Sequence, residues 1–376
     1  MTTTSSYGNR LIGLQVLRAV AALMVVFHHA RWSVPGSEFL PHVGEAGVDV
    51  FFIISGFVMA YTTAAIHDDA GFQARGLAAR NFFANRILRV VPLYLLALAW
   101  TIHKGYGSRF TGVDILEDIF FIPHVSKESP DFLSPIVRQG WSLDYEMFFY
   151  GLFAISMMFG SARRRVLIAG LAALVGIGAG LALQHGIPAS DETLRWYPAQ
   201  HNVAFVMSRF YTNNIMIEFC LGVALEAVFR RYGFPAWPRW VFGSLVLVGF
   251  GALAALHTHQ WPRGLTQGVP AALIVWAAIP ACAGLRLNLL ESIGDASYSI
   301  YLFHWASFAL LSPLMARFGT HGLGMGFVSL LVFVHVFVGT VVGVVIHRKV
   351  EKPMTRWLKR SFGHKPSKGS LAAASP

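Results

Sequence analysis

Apolar runs of about membrane length recur along the whole chain, and that recurrence narrows the fold more than any single motif does. A hydrocarbon core of ~30 Å takes about 20 helical residues to cross, and a span in lipid must satisfy its backbone polar groups internally. Ten runs qualify, near residues 11–31, 47–65, 86–103, 142–160, 166–183, 211–228, 241–257, 266–285, 296–311 and 325–346. The expectation is an all-α, polytopic integral membrane protein with about ten transmembrane helices. Composition agrees, because a chain of 376 residues that is 55% hydrophobic and only 13% charged has too few polar side chains to cover a soluble globule.

The net charge of +11 could suggest a nucleic-acid partner. Most of the basic residues, however, lie in short links between apolar runs and in the C-terminal tail, the pattern of membrane topology rather than of phosphate recognition. If the even-numbered links are cytoplasmic, the inner side holds Arg10, Arg75, Arg80, Arg86, Arg89, Arg163 to Arg165, Arg230, Arg231, Arg239, Arg286 and the basic tail from Arg348. The positive-inside rule then puts both termini in the cytoplasm, and the two longest links, 104–141 and 184–210, outside. Arg10 before an apolar run resembles a signal peptide, but the length of the run and the spans that follow favour a retained first helix. One membrane domain over residues 1–360 accounts for the chain, with residues 361–376 a basic tail expected to be disordered. Cys220 and Cys282 sit inside apolar runs without metal-ligand spacing, so they are expected to be packing residues, and no metal is expected.

Ionisable side chains at membrane depth cost about 2.5–3.5 kcal/mol on insertion scales, so they generally face a cavity or the bundle interior. Those that stand out are Arg18, His28, His29, Asp49, Asp144, Glu146, Glu218 and His304. Arg18 and His29 are eleven residues apart, which on a helix leaves them about 20° from alignment and ~16 Å apart along the axis. They share a face, with the cation in the inner half and the imidazole near the outer surface. His28 is rotated by ~80° from Arg18 and is the weaker partner. Two readings stand: a snorkelling arginine with an interfacial histidine, or a deep cation with a shallow general base.

"GEAGVDVFFIISGF" opens the second span, where Gly44, Gly47 and Gly56 suit close backbone approach. Asp49 there can orient an imidazole, or simply sit as a helix-start acid. Arg86 and Arg89 are three apart and neighbours on one helical face, able to grip phosphates or to serve only as topology markers. "QGWSLDYEMFFY" places Trp141 at the outer interface, with Ser142, Asp144 and Glu146 beyond it; the two acids point in different directions. "GDASYSIYLFHW" carries Tyr298, Tyr301 and His304, with Ser297 and Tyr301 on one face. A lone histidine there serves packing or catalysis.

Together these stretches resemble the membrane acyltransferase-3 family, whose members include acetyltransferases of bacterial exopolysaccharides, O-antigens and Nod factors. The resemblance runs from the first span to "VEKP" at Val350 to Pro353. It rests on Arg18 with His29, on "GVDVFFIISGF", on Arg86 with Arg89, on "WSL" with Glu146, and on "SYSIYLFH" ending at His304. Trp305 departs from many relatives, and the proline that follows in them is absent. A fused SGNH domain, found in some relatives, does not fit in the chain.

The resemblance implies transfer of an acyl group, acetyl in the simplest case, from cytoplasmic acyl-CoA to a sugar hydroxyl of a glycan or lipid-linked oligosaccharide beyond the membrane. The setting would be a bacterial inner membrane. No permanently bound cofactor is implied; acetyl-CoA is the donor substrate. His29, Asp49 and Glu146 would be catalytic, with His29 the base or the carrier of an acyl-histidine. Arg18, Arg86 and Arg89 would bind the donor. Trp141, Ser142, Tyr298, Tyr301 and His304 would support the site or the acceptor. The alternatives are the same fold with succinyl-CoA or another donor, and a transporter or flippase with an intramembrane proton relay. Trp196 and Tyr197 in the second long link could stack on sugars or mark the interface.

Overall fold

The computed structural model describes residues 12–64, 71–104, 110–124, 135–160, 213–256, 263–318 and 324–361, with scattered positions between 164 and 211. Every regular element among them is helical. In chain order they are α1 (Ile12–Ser33), α2 (Gly47–Thr63) after a 3₁₀ turn at Val43–Ala46, α3 (Phe72–His103), α4 (Gly112–Phe120) and α5 (Trp141–Met157). Then follow α6 (Met216–Tyr232), α7 (Arg239–Leu256), a π-turn at Gly264–Gly268 and α8 (Val269–Ala281). The chain continues with α9 (Asn288–Asp295), α10 (Ser297–Phe303), α11 (Trp305–Phe318), α12 (Met325–Ile346), a second π-turn at His347–Glu351 and α13 (Lys352–Ser361).

Among the described residues six stretches are long and apolar enough to cross a membrane: Ile12–Ser33, Val43–Thr63, Phe72–His103, Arg239–Leu256, Gly264–Ala281 and Met325–Ser361. Leu247 and Val248 on α7, and Leu330, Phe333 and Phe337 on α12, are exposed. Such apolar ridges would be costly against water and are at ease against lipid.

The structure refines the expected spans. The third helix begins at Phe72 rather than near residue 86. Its first half is too polar to score as a span, yet Gln73, Ala74, Arg75, Leu77 and Ala78 are good helix formers. Arg86 therefore lies inside a continuous helix, ~21 Å from its start. The ninth run is divided at His304 into α10 and α11. The fourth and sixth correspond to α5 and α6, each of 17 residues, ~25 Å of helix. The fifth run is only partly described. Residues 184–206 of the second long link, with Trp196 and Tyr197, and the tail 362–376 lie outside the described residues. Both cysteines are free thiols, Cys220 buried and Cys282 half-buried.

Two compact units make up the chain, one of residues 1–54, 228–258 and 269–376, the other of 55–227 and 259–268. In the first, α1 is flanked by the α9–α10 segment in a clear register. A side chain at Gly294 would strike the Gln15 carbonyl, Arg18 bonds Ser297, Ala22 and Val26 pack with Ala296 and Ile300, and His29 meets His304. Residue numbers rise together, so the two run parallel. Helix α12 runs antiparallel to both, with Gly343 against Ile300, Gly339 between Val26 and His304, and Val328, Leu331 and Val332 against Ala30 and Val34. Close approach here needs glycine, because a Cβ on Gly343 would lie 2.5 Å from Ile300 Cα. Gly44 and Gly47 likewise lie on the backbone of α1, at Met24 and Ala21.

In the second unit, Gly56 on α2 lies against the Phe219 carbonyl of α6, and α3 packs along α5. Aromatic stacking fills the interior, with Tyr145 on Phe210 at 4.3 Å and Phe149 on Phe219 at 4.2 Å. Buried Glu218 lies beneath the π-turn, where a Cβ on Gly268 would come within 3.0 Å of its Cγ.

Candidate active site

The break at His304 has a local cause. His304 Nδ1 lies 2.7 Å from the Tyr301 carbonyl, the acceptor that the Trp305 N–H would use in an unbroken helix. Ser307 N–H then closes a tighter turn onto the His304 carbonyl at 2.9 Å, and Ser307 Oγ donates to the same oxygen. The divided helix holds a fully buried imidazole against α1.

His29 is half-buried, and its Nδ1 faces two groups, the Val25 carbonyl at 3.0 Å and His304 Nε2 at 3.2 Å. Carbonyl oxygens only accept, which assigns the tautomers. His304 carries its proton on Nδ1, for Tyr301, and so offers a bare Nε2. His29 carries its proton on Nδ1, shared between Val25 and His304. In neutral His29 the acceptor nitrogen is therefore Nε2, on the ring edge away from His304. Trp305 adds its ring 5.2 Å from that of His29, and its buried indole N–H has no hydrogen-bond partner among the described residues.

Deeper along α1, Arg18 donates to Ser297 Oγ at 2.9 Å and to Gln15 Oε1 at 3.3 Å. Asp49 is fully buried in the first turn of α2, the stretch whose glycines lie on α1. Tyr301 is buried and meets Phe51 edge-on at 6.2 Å, and Tyr298 is half-buried. The sequence pairs separated by 279 and 275 residues, Arg18 with Ser297 and His29 with His304, are thus brought together in this unit.

Another polar cluster belongs to the second unit. Glu146 accepts hydrogen bonds from the Tyr150 hydroxyl and, at 3.2 Å, from Ser55 Oγ. The Arg86 guanidinium lies 5.4 Å from the Tyr150 ring centre and 5.5 Å from that of Phe82. It bonds Tyr150 and feels the charges of Glu146 and Arg89. Glu146 is thus engaged with the arginine that the sequence had placed in a different role from its own. Trp141 meets Tyr145 edge-on at 6.3 Å. Ser142 Oγ is spent on the Gln139 carbonyl at 3.2 Å, and Asp144 is buried.

Sequence reasoning passed over Trp305, Ser55 and Tyr150. The first was visible only as a departure from the family pattern; the others are ordinary span residues until the helices pack. It also passed over the Glu351 carboxylate, which accepts from Ser299 Oγ at 2.6 Å and faces His347 Nδ1 at 2.9 Å.

Comparison with known proteins bears on this arrangement. The family described as "Acyltransferase domain" (Acyl_transf_3) matches residues 11–349. The chain is 29% identical over 342 residues to the exopolysaccharide production protein ExoZ of Rhizobium meliloti (strain 1021), covering 88% of this chain and 95% of that protein. It is 25% identical over 348 residues to the putative membrane-bound transacylase BcsY of Komagataeibacter xylinus, covering 87% and 80%. The putative peptidoglycan O-acetyltransferase YrhL of Bacillus subtilis (strain 168) is 25% identical over 389 residues, covering 94% of this chain and 56% of the relative. No solved structure matches. With the family match reaching from α1 to the second π-turn, the chain belongs to the acyltransferase-3 family and is a multi-pass membrane acyltransferase.

Proposed function

We propose that the protein moves an acyl group, acetyl in the simplest case, from cytoplasmic acyl-CoA to a sugar hydroxyl of a glycan or lipid-linked glycan precursor beyond a bacterial inner membrane. The observation that carries the proposal is the two-histidine chain, in which His29 Nδ1 lies between the Val25 carbonyl and His304 Nε2 while His304 Nδ1 faces the Tyr301 carbonyl, so that the ring of His29 is held with its other nitrogen on the far edge. Exopolysaccharide in the name of ExoZ and O-acetyltransferase in that of YrhL support the acceptor class. Ten spans with both termini inside remain the topology proposed. The parallel course of α1 and α10 supports it, since first and ninth spans must cross in the same direction.

In this mechanism His29 Nε2 takes the proton of the attacking hydroxyl as its oxygen bonds to the thioester carbonyl carbon. The imidazolium shares its Nδ1 proton more strongly with His304, and buried Asp49 supplies negative charge to the same helix pair. When the tetrahedral intermediate collapses, the C–S bond breaks and His29 returns the proton to the departing CoA sulfur. Direct transfer balances the proton without an added co-reactant. Arg86 and Arg89 would hold the CoA phosphates, with Glu146 and Tyr150 fixing Arg86. Arg18, held by Ser297, would line the pantetheine path; the ~16 Å from Arg18 to His29 suits an extended arm. Donor substrate aside, no bound cofactor is called for.

The test is acetyl transfer by purified protein given acetyl-CoA and a candidate glycan, read as free CoA and an acetate-sized mass gain. His29→Ala should lower turnover by about 10²–10⁴-fold while the protein stays inserted and monodisperse. Near-normal product from that variant would remove His29 from the reaction. Succinyl-CoA in place of acetyl-CoA separates the donor alternatives.

A further inference from the structure

Beside Tyr94 of α3, α4 and the turn after it gather Asp114, Glu117, Asp118 and His124. A capping box opens the helix: Asp114 Oδ2 accepts from Thr111 N at 2.6 Å and from Thr111 Oγ1 at 2.9 Å, and the Asp114 N–H donates back to Thr111 Oγ1. Glu117 is three residues on, hence on the same face. Phe121 then takes a left-handed backbone (φ 55°) that ends α4, with Ile122 N–H bonded to the Glu117 carbonyl. The chain doubles back and carries His124 alongside the helix it has just left.

The His124 side chain is 8% exposed and faces both acids, with Nδ1 3.8 Å from Glu117 Oε2 and Nε2 3.8 Å from Asp118 Oδ1. Neither distance is a hydrogen bond. Nδ1 also lies 3.3 Å from the Ile122 carbonyl. If Nδ1–H serves that carbonyl, Nε2 is a bare lone pair aimed at a carboxylate oxygen, and it is buried without a hydrogen-bond partner. Asp118 cannot turn away, because its Oδ2 accepts from Ile136 N–H at 2.9 Å and it also bonds Val137 and Tyr94. Ligand atoms of Asp114, Glu117 and His124, one from each, all lie within 4.8 Å of one another.

We propose that this cluster is a divalent metal site of the zinc type, with His124 Nδ1 and one carboxylate oxygen each from Asp114 and Glu117 as ligands. An ion ~2.0–2.2 Å from each ligand fits between His124 Nδ1 and Glu117 Oε2, 3.8 Å apart, and a separation as wide as the 4.8 Å limit of the three-residue set would have to close by a few tenths of an ångström. An ion on Nδ1 moves the imidazole proton to Nε2, where Asp118 is already placed to accept it. A histidine ligand backed by a carboxylate is the usual outer arrangement of zinc sites. One imidazole with two carboxylates suits zinc, cobalt or manganese better than calcium or magnesium, which favour more oxygens. The ion would fasten the end of α4 to the Ile122–His124 turn. The spacing Asp114, Glu117, His124 gave no sequence signal for it, because the left-handed turn at Phe121 is what returns the histidine to the helix.

The experiment uses the full chain in detergent, stripped with chelator, dialysed and titrated with Co²⁺; it does not depend on the proposed transfer reaction. Expected are one equivalent of bound cobalt, visible absorption bands of a low-coordinate site, and displacement by Zn²⁺. Glu117→Gln, a change at a partly exposed position, should weaken binding by at least tenfold, and His124→Ala should abolish the absorption. Asp118→Asn should weaken binding by about 10- to 100-fold through its outer contact. No cobalt absorption in the unaltered protein overturns the site. So does absorption that survives both Glu117→Gln and His124→Ala in variants that elute as the unaltered protein does; His124 would then be an imidazolium shared by two carboxylates.

Discussion

His29 and Arg86 both occupy apolar helices, and the two regions around them handle polarity in opposite ways. His29 is held through uncharged contacts, a backbone carbonyl and the Nε2 of His304. Arg86 is held by an aromatic ring on each of Phe82 and Tyr150 and by the charge of Glu146. A group that must accept and release a proton is best kept neutral and fixed in one tautomer. A group that only needs to carry charge is best given a counter-charge and a rigid fork. The difference teaches that the first region has the contacts a proton carrier needs and the second those an anion holder needs, which are the roles proposed for them.

The largest test of that contrast is acidification. If His29 is the proposed base, protonating it removes the lone pair, so transfer should fall to nothing as pH drops, while acetyl-CoA binding, assigned here to the arginines, should persist. A parallel loss of binding and turnover would erase the distinction. Next is the histidine chain: His304→Leu should cut turnover by on the order of 10- to 100-fold, because His29 loses the acceptor that fixes its tautomer. His304→Gln, whose amide oxygen can accept the same proton, should recover part of it with an unchanged donor KM. Equal rates for the two variants would make His304 a packing residue. On the other side, Arg86→Lys should raise donor KM by about tenfold with kcat nearly intact, since an ammonium lacks the bidentate fork. A kcat effect without a KM effect would move Arg86 into the chemistry. Smallest is Ser55→Ala, which removes one of two hydrogen bonds to Glu146 and should cost about 1 kcal/mol, under tenfold in donor affinity.

Much of the fold was legible because lipid imposes a simple rule on composition. Hydropathy alone located the six stretches that, among the described residues, are long and apolar enough to cross. Helical spacing put Arg18 and His29 on one face, and the resemblance placed His304 among the site residues. Hydropathy does not report where a helix begins when its first turns are polar but helix-forming, and so α3 starts at Phe72. Nor does it report that a side chain will take a backbone acceptor, as His304 does at Tyr301 to divide its helix. Glu146 read as a neighbour for an imidazole, and its contacts with Tyr150 and Arg86 could not be read from spacing, because they arise from the packing of α3 on α5.

The sequence by itself determined that this chain is an all-helical, multi-pass membrane acyltransferase, because apolar length, charge placement and ordered motifs are properties of a one-dimensional string. Only the tertiary structure decided which nitrogen of His29 faces His304 and which acid answers Arg86. Those depend on hydrogen bonds between residues separated by 275 positions, or on packing between helices, and neither is encoded in any local window.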